Sequence, residues 1–127
     1  MLIRSAIGSI CTRLFIVALV TLGALNTAFA HAIITDSVPA VGSTVAGPDV
    51  DIKLTYNSRI DLTRSRLQLF LSDGSKQDLA ISADSTAATV ISKAGGLAPG
   101  AYRLRWQVLS VDGHITRGDI PFTVKAD

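Results

Sequence analysis

Sulfur is almost absent from this chain. Of 127 residues one is cysteine, Cys11, and one is methionine, Met1. Both precede a stretch, Ala28-Phe29-Ala30, that fits the small-x-small rule for signal-peptide cleavage. A product cut after Ala30 has no disulfide and no soft ligand for a metal, although its destination is oxidising. Glutamate is missing throughout, and histidine occurs only as His31 and His114. With no free thiol and no third histidine left over as a base, hydrolytic machinery has little to be built from. From His31 onward ten Asp balance ten Lys plus Arg. The net side-chain charge there is zero, which offers no basic patch for nucleic acid.

The first 30 residues read as an export signal. Arg4 and Arg13 supply a positive, rather long n-region, and Leu14 to Leu25 is an uncharged apolar run. A membrane helix needs about 20 apolar residues, so this run is too short to be a span. The expected organisation is residues 1–30 as a cleaved signal peptide and residues 31–127 as one small domain in the periplasm. No membrane insertion is expected after cleavage.

The remainder alternates like β-structure. Ile52, Leu54 and Tyr56 share one face of a strand; Leu67, Leu69 and Leu71 share one face of another, stopped by the hairpin signal Ser72-Asp73-Gly74-Ser75. Asp78 to Ile81 and Ala87 to Ser92 are weaker strands. Ala101 to Ser110 is the strongest, with Tyr102, Leu104, Trp106 and Val108 on one side. A last strand over Gly118 to Lys125 carries Pro121, which points to an edge position or a bulge. Residues 57–65 read as a polar crossing loop. No window shows helical periodicity. The expected fold is all-β, an immunoglobulin-like β-sandwich or a Greek-key β-barrel.

Candidate ligands come from two places. Cleavage after Ala30 would leave His31 with a free α-amine, a group with a pKa near 8 that loses its proton readily to a strong Lewis acid. Amine and imidazole Nδ1 of one residue close a chelate ring. His114 adds a third nitrogen and Asp112 a hard oxygen, within Ser110-Val111-Asp112-Gly113-His114. Copper(II) favours tetragonal N,O sets, whereas copper(I) prefers the sulfur ligands this segment lacks. The expectation is one Cu(II) per chain, held by His31, His114 and Asp112. Taken alone, Asp-Gly at a strand end is usually only a turn, and a metal-free immunoglobulin-like interaction module stays open. So does a copper oxidase or monooxygenase, although few aromatics are left for a substrate face.

Several of these residues together resemble the CopC/PcoC copper-resistance family. They are His31, the stretch Ser37-Val38-Pro39-Ala40-Val41-Gly42-Ser43, Leu54-Thr55-Tyr56, and the tail from Trp106 through Ser110, Asp112 and His114 to Val124. The resemblance implies a periplasmic Cu(II)-binding β-sandwich or barrel with ligands at His31, Asp112 and His114. It also implies a non-enzymatic carrier or buffer, with an inner-membrane copper transporter of the CopD type as a partner. Two departures stand out. The methionine-rich loop that some members use for Cu(I) is absent between Ser72 and Thr86. Where some members carry a glutamate near copper, this chain has Asn57-Ser58-Arg59, and Arg59 would oppose a nearby cation.

Overall fold

The computed structural model describes residues 31–127; the expected signal peptide lies outside the described residues. Eight strands form two sheets: β1 (Ile34–Val38), β2 (Ser43–Ala46), β3 (Val50–Tyr56), β4 (Ile60–Phe70), β5 (Lys76–Leu79), β6 (Thr89–Ala94), β7 (Gly100–Ser110) and β8 (Ile115–Lys125). One sheet has the order β1-β3-β6, the other β2-β8-β7-β4-β5. No helix occurs among the described residues. The expected all-β sandwich is what forms.

The period of two in the sequence becomes the two faces of each sheet. Ile52, Leu54 and Tyr56 of β3 face Leu67 and Leu69 of β4, Leu104, Trp106 and Val108 of β7, and Ile120, Phe122 and Val124 of β8 in one buried cluster. Trp106 lies against a bare backbone. A Cβ built on Gly118, its partner in the β7–β8 ladder, would come within 2.6 Å of the indole. Tyr56 packs edge-on to the same indole, with ring centroids 5.6 Å apart. Gly118→Ala is therefore expected to lower stability by about 1–3 kcal/mol through overpacking, read as a lower midpoint in thermal unfolding.

Three local readings change. Residues 57–65 are not all loop, because β4 already begins at the buried Ile60, which pairs with Ser110. The irregular appearance comes from a bulge between Asp61 and Arg66. There Asp61 Oδ1 accepts from Thr63 N at 3.0 Å, Thr63 Oγ1 at 2.7 Å and Arg64 N at 3.3 Å. A carboxylate that satisfies three local donors lets the strand swell and then resume. β8 starts at Ile115, earlier than its alternation suggests, and it is an interior strand. The short β2 runs parallel to it, from Ser43 opposite Phe122. Pro121 is tolerated because its carbonyl, accepting from Gly42 N at 2.7 Å, and its missing N–H face the same side, just ahead of β2.

The segment before β1, the β3–β4 connection (57–59) and the β7–β8 turn (111–114) all emerge at the same end of the sandwich.

Candidate metal centre

At that end the two histidines of the chain meet. The rings of His31 and His114 stand edge to face, with centroids 4.9 Å apart. They reach this position by different routes.

His114 closes a tight turn. Ser110 N donates to His114 O at 2.9 Å, Gly113 N donates to Ser110 O at 2.9 Å, and Gly113 takes φ = 90°. A side chain would be strained in that left-handed region, so glycine between Asp112 and His114 lets the turn close. Asp112 then folds back over it. Its Oδ1 accepts from the Ser110 hydroxyl and, at 3.2 Å, from His114 N; its Oδ2 lies 2.8 Å from His114 Nδ1. The Ser110 hydroxyl, followed by the His114 contact, pulls the Asp112 carboxyl down to about 2. An ionised carboxylate only accepts, so Nδ1 of His114 carries the proton and donates. Nε2 is the ring nitrogen left over for a ligand. This is the usual way an outer carboxylate fixes the tautomer of a metal-binding imidazole.

His31 is held through its neighbours. Ala32 is fully buried, and Ile33 is tied to the β3–β4 connection by two bonds. Ile33 N donates to Asn57 Oδ1 at 2.8 Å, and Asn57 N donates to Ile33 O at 3.0 Å. The same connection grips the other side of the site, where Val111 N donates to Arg59 O at 3.3 Å. Residues 57–59 thus clip both histidine-bearing segments. Sequence reasoning missed this role, and Ser110's as well, because most of the work is done by backbone groups or a small hydroxyl.

The described side chains alone do not amount to a metal cluster. Among the described residues no group of three or more His, Cys, Asp or Glu stands at metal-binding spacing. His31 and His114 come together, while Asp112 is engaged with His114 and the turn. Of about four lone-pair sites on a carboxylate, three are taken here, and one on Oδ2 is free. The set gains a third nitrogen only if the amine of His31 is free. The site is an exposed tip rather than a cleft. The groove lined by Leu62, Ser65, Arg66, Leu67, Asp78, Leu79 and Ile81 holds none of its residues.

A family model described as the CopC domain matches residues 34–125. The chain belongs to the CopC domain family. The matched span contains Asp112 and His114, and begins three residues after His31. Copper resistance protein C of Xanthomonas campestris pv. juglandis is 30% identical over 129 residues, covering 94% of this chain and 98% of that protein. The copper transport protein CutJ of Bacillus subtilis is 29% identical over 106 residues, which are 80% of this chain but only 20% of CutJ. Among solved structures, CopC from Methylosinus trichosporium OB3b superposes with a TM-score of 0.68 at 28% identity, covering 76% of this chain and 95% of that one. PcoC from Escherichia coli gives 0.60 at 29% identity, covering 76% and 100%. That protein is described as methionine-rich, whereas this chain's one methionine is Met1. The CopC family comprises copper-binding resistance and transport proteins and is not a family of enzymes.

Proposed function

We propose that this CopC-family chain is a periplasmic carrier or buffer for Cu(II), freed from a signal peptide by cleavage after Ala30. One copper is held by the amine and imidazole of His31 and by Nε2 of His114. Asp112 orients His114 through Nδ1; because Nδ1 and Nε2 point away from each other, the same carboxylate reaches a copper on Nε2 only by leaving Nδ1, and as a direct ligand it is the weakest of the set. The observation that carries this reading is the meeting of the His31 and His114 rings at 4.9 Å, at the end of a sandwich whose relatives are named for copper. Nitrogen-rich, sulfur-free donors favour Cu(II). A membrane copper transporter of the CopD type is the proposed partner. That CutJ, a copper transport protein, contains a CopC-like region within a chain of which this one spans a fifth supports it.

The reading is tested by a competition titration of the exported protein with a Cu(II) chelator of known affinity. Uptake should saturate at one copper per chain. Absence of saturable uptake would leave a metal-free interaction module.

Two substitutions probe the supports. Asn57→Ala removes the side-chain half of the clip on Ile33 and should weaken Cu(II) binding by about 10–100-fold, the usual cost of losing an outer-shell partner, with thermal unfolding little changed. Asp112→Asn removes the charge that orients His114 at Nδ1, so a loss at the upper end of that range is expected.

The acid limb has a definite sign. The folded-state pKa of Asp112 is depressed, so its contribution to stability is full above the ordinary carboxylate range, near pH 4, and is lost as pH falls through about 2. Asp112→Asn should flatten the fall in unfolding midpoint of the metal-free protein over this interval. Copper leaves earlier on acidification, through protonation of the nitrogen donors, while Asp112 keeps its charge.

A further inference from the structure

The neutral balance of residues 31–127 conceals a strong asymmetry. Residues directly opposite in an antiparallel ladder share a face, and the registers of the five-stranded sheet define its outer surface row by row. Lys76, Phe70, Arg103 and Pro121 form one row; Asp78, Gln68, Arg105 and Asp119 the next. Then follow Arg66, Gln107 and Arg117, and finally Asp61, Leu109 and Ile115. With Arg64, which pairs with Asp61 at 3.8 Å, and Lys125, which ends the outward face of β8 opposite Ala46, this surface has seven cations against three carboxylates. The rest of residues 31–127 has three cations against seven carboxylates.

The cations are not cancelled locally. Asp119 is shared between Arg105, at 2.9 Å, and Arg103, at 3.3 Å, and Asp78 accepts from Gln68 at 2.9 Å. No carboxylate among the described residues lies within 4 Å of a basic nitrogen of Arg66, Lys76 or Arg117. The guanidinium carbons of Arg103 and Arg105 stand over the Phe70 ring at 4.5 and 5.0 Å from its centre, which holds both groups against the sheet. At the end of this surface that borders the histidines, two large apolar side chains are exposed, Ile115 at 57% and Val111 at 69%.

We propose that this surface docks the protein onto an anionic phospholipid bilayer. Flat, arginine-rich surfaces suit phosphodiester headgroups, because guanidinium binds phosphate through paired bonds. Exposed aliphatic residues at one margin suit the boundary between headgroups and acyl chains. An acidic protein partner would use the charges but has no need of Val111 and Ile115 at the tip, so the combination favours lipid. Docked this way, the turn carrying His114 lies at the membrane surface. Neither the surface nor its test depends on copper.

The test is flotation of the metal-free exported protein with phosphatidylcholine vesicles, alone or mixed with phosphatidylglycerol. Binding is expected only with phosphatidylglycerol, and is expected to vanish between about 0.02 and 0.5 M salt as screening shortens. Reversing three unpaired cations together (Arg66→Glu, Lys76→Glu and Arg117→Glu) should reduce partitioning by at least about a hundredfold, since each basic residue near an anionic surface contributes severalfold. Val111→Ser with Ile115→Ser should reduce it less and leave the salt dependence in place. Unchanged thermal unfolding of both variants shows that the fold is kept, and an unchanged Cu(II) titration of the charge-reversed variant shows that the metal site is. No flotation with phosphatidylglycerol, or equal flotation of the charge-reversed variant, overturns the proposal. Retention on an immobilised acidic polypeptide without vesicle binding overturns it too, in favour of a protein partner.

Discussion

One extra residue ahead of His31 is expected to cut Cu(II) affinity by at least about a thousandfold, more than the 10–100-fold typical of outer-shell losses. A protein starting at Met followed by His31 keeps every side chain of the site. What it loses is the amine on His31, since the free terminal amine moves one residue upstream. An amide nitrogen in its place is not basic, and it cannot close the same neutral chelate with Nδ1 of the same imidazole. The fold gives no reason for a second effect, because Ala32 and the Ile33–Asn57 bonds still hold the strand entry. Thermal unfolding of the metal-free proteins should therefore coincide while the competition titrations separate. Equal affinities would mean that the amine is not a ligand.

His114→Ala is expected to lose a similar amount, about a thousandfold or more, since it removes a donor and leaves Asp112 without the imidazole it orients. The turn should survive. Its closure uses the backbone of Ser110, Gly113 and position 114, and the Ser110–Asp112 hydrogen bond, none of which needs an imidazole. Residual binding should keep two nitrogens, both from His31, and be far weaker. An unchanged titration would assign the copper to other residues.

These effects rest on residues whose chemistry is visible in the sequence. His31 and His114 stand out because the chain has no other histidine, and because cleavage after Ala30 would change what one of them is. The strands β3 and β7 were equally visible, since half-buried strands alternate. β2 was not, because four residues running parallel to an interior strand need little pattern of their own. The bulge at Asp61 looked like loop because its polar residues satisfy one another locally. Asn57 and Arg59 could not be recognised as a clip, since the contacts they make include backbone groups that any residue could supply. The charge asymmetry was hidden for a different reason. Net charge sums over the chain, whereas the ladder registers sort the cations onto one surface.

In the proposed site a free His31 amine and the His114 imidazole bind one Cu(II) together. Mass spectrometry of the exported protein, followed by electron paramagnetic resonance of the same sample through a Cu(II) titration, tests it most directly. The expected result is a chain beginning at His31 and a single tetragonal Cu(II) signal that saturates at one equivalent, with splitting from three nitrogens that falls to two in His114→Ala. A mature chain beginning elsewhere, or a saturated signal without nitrogen splitting, would contradict it.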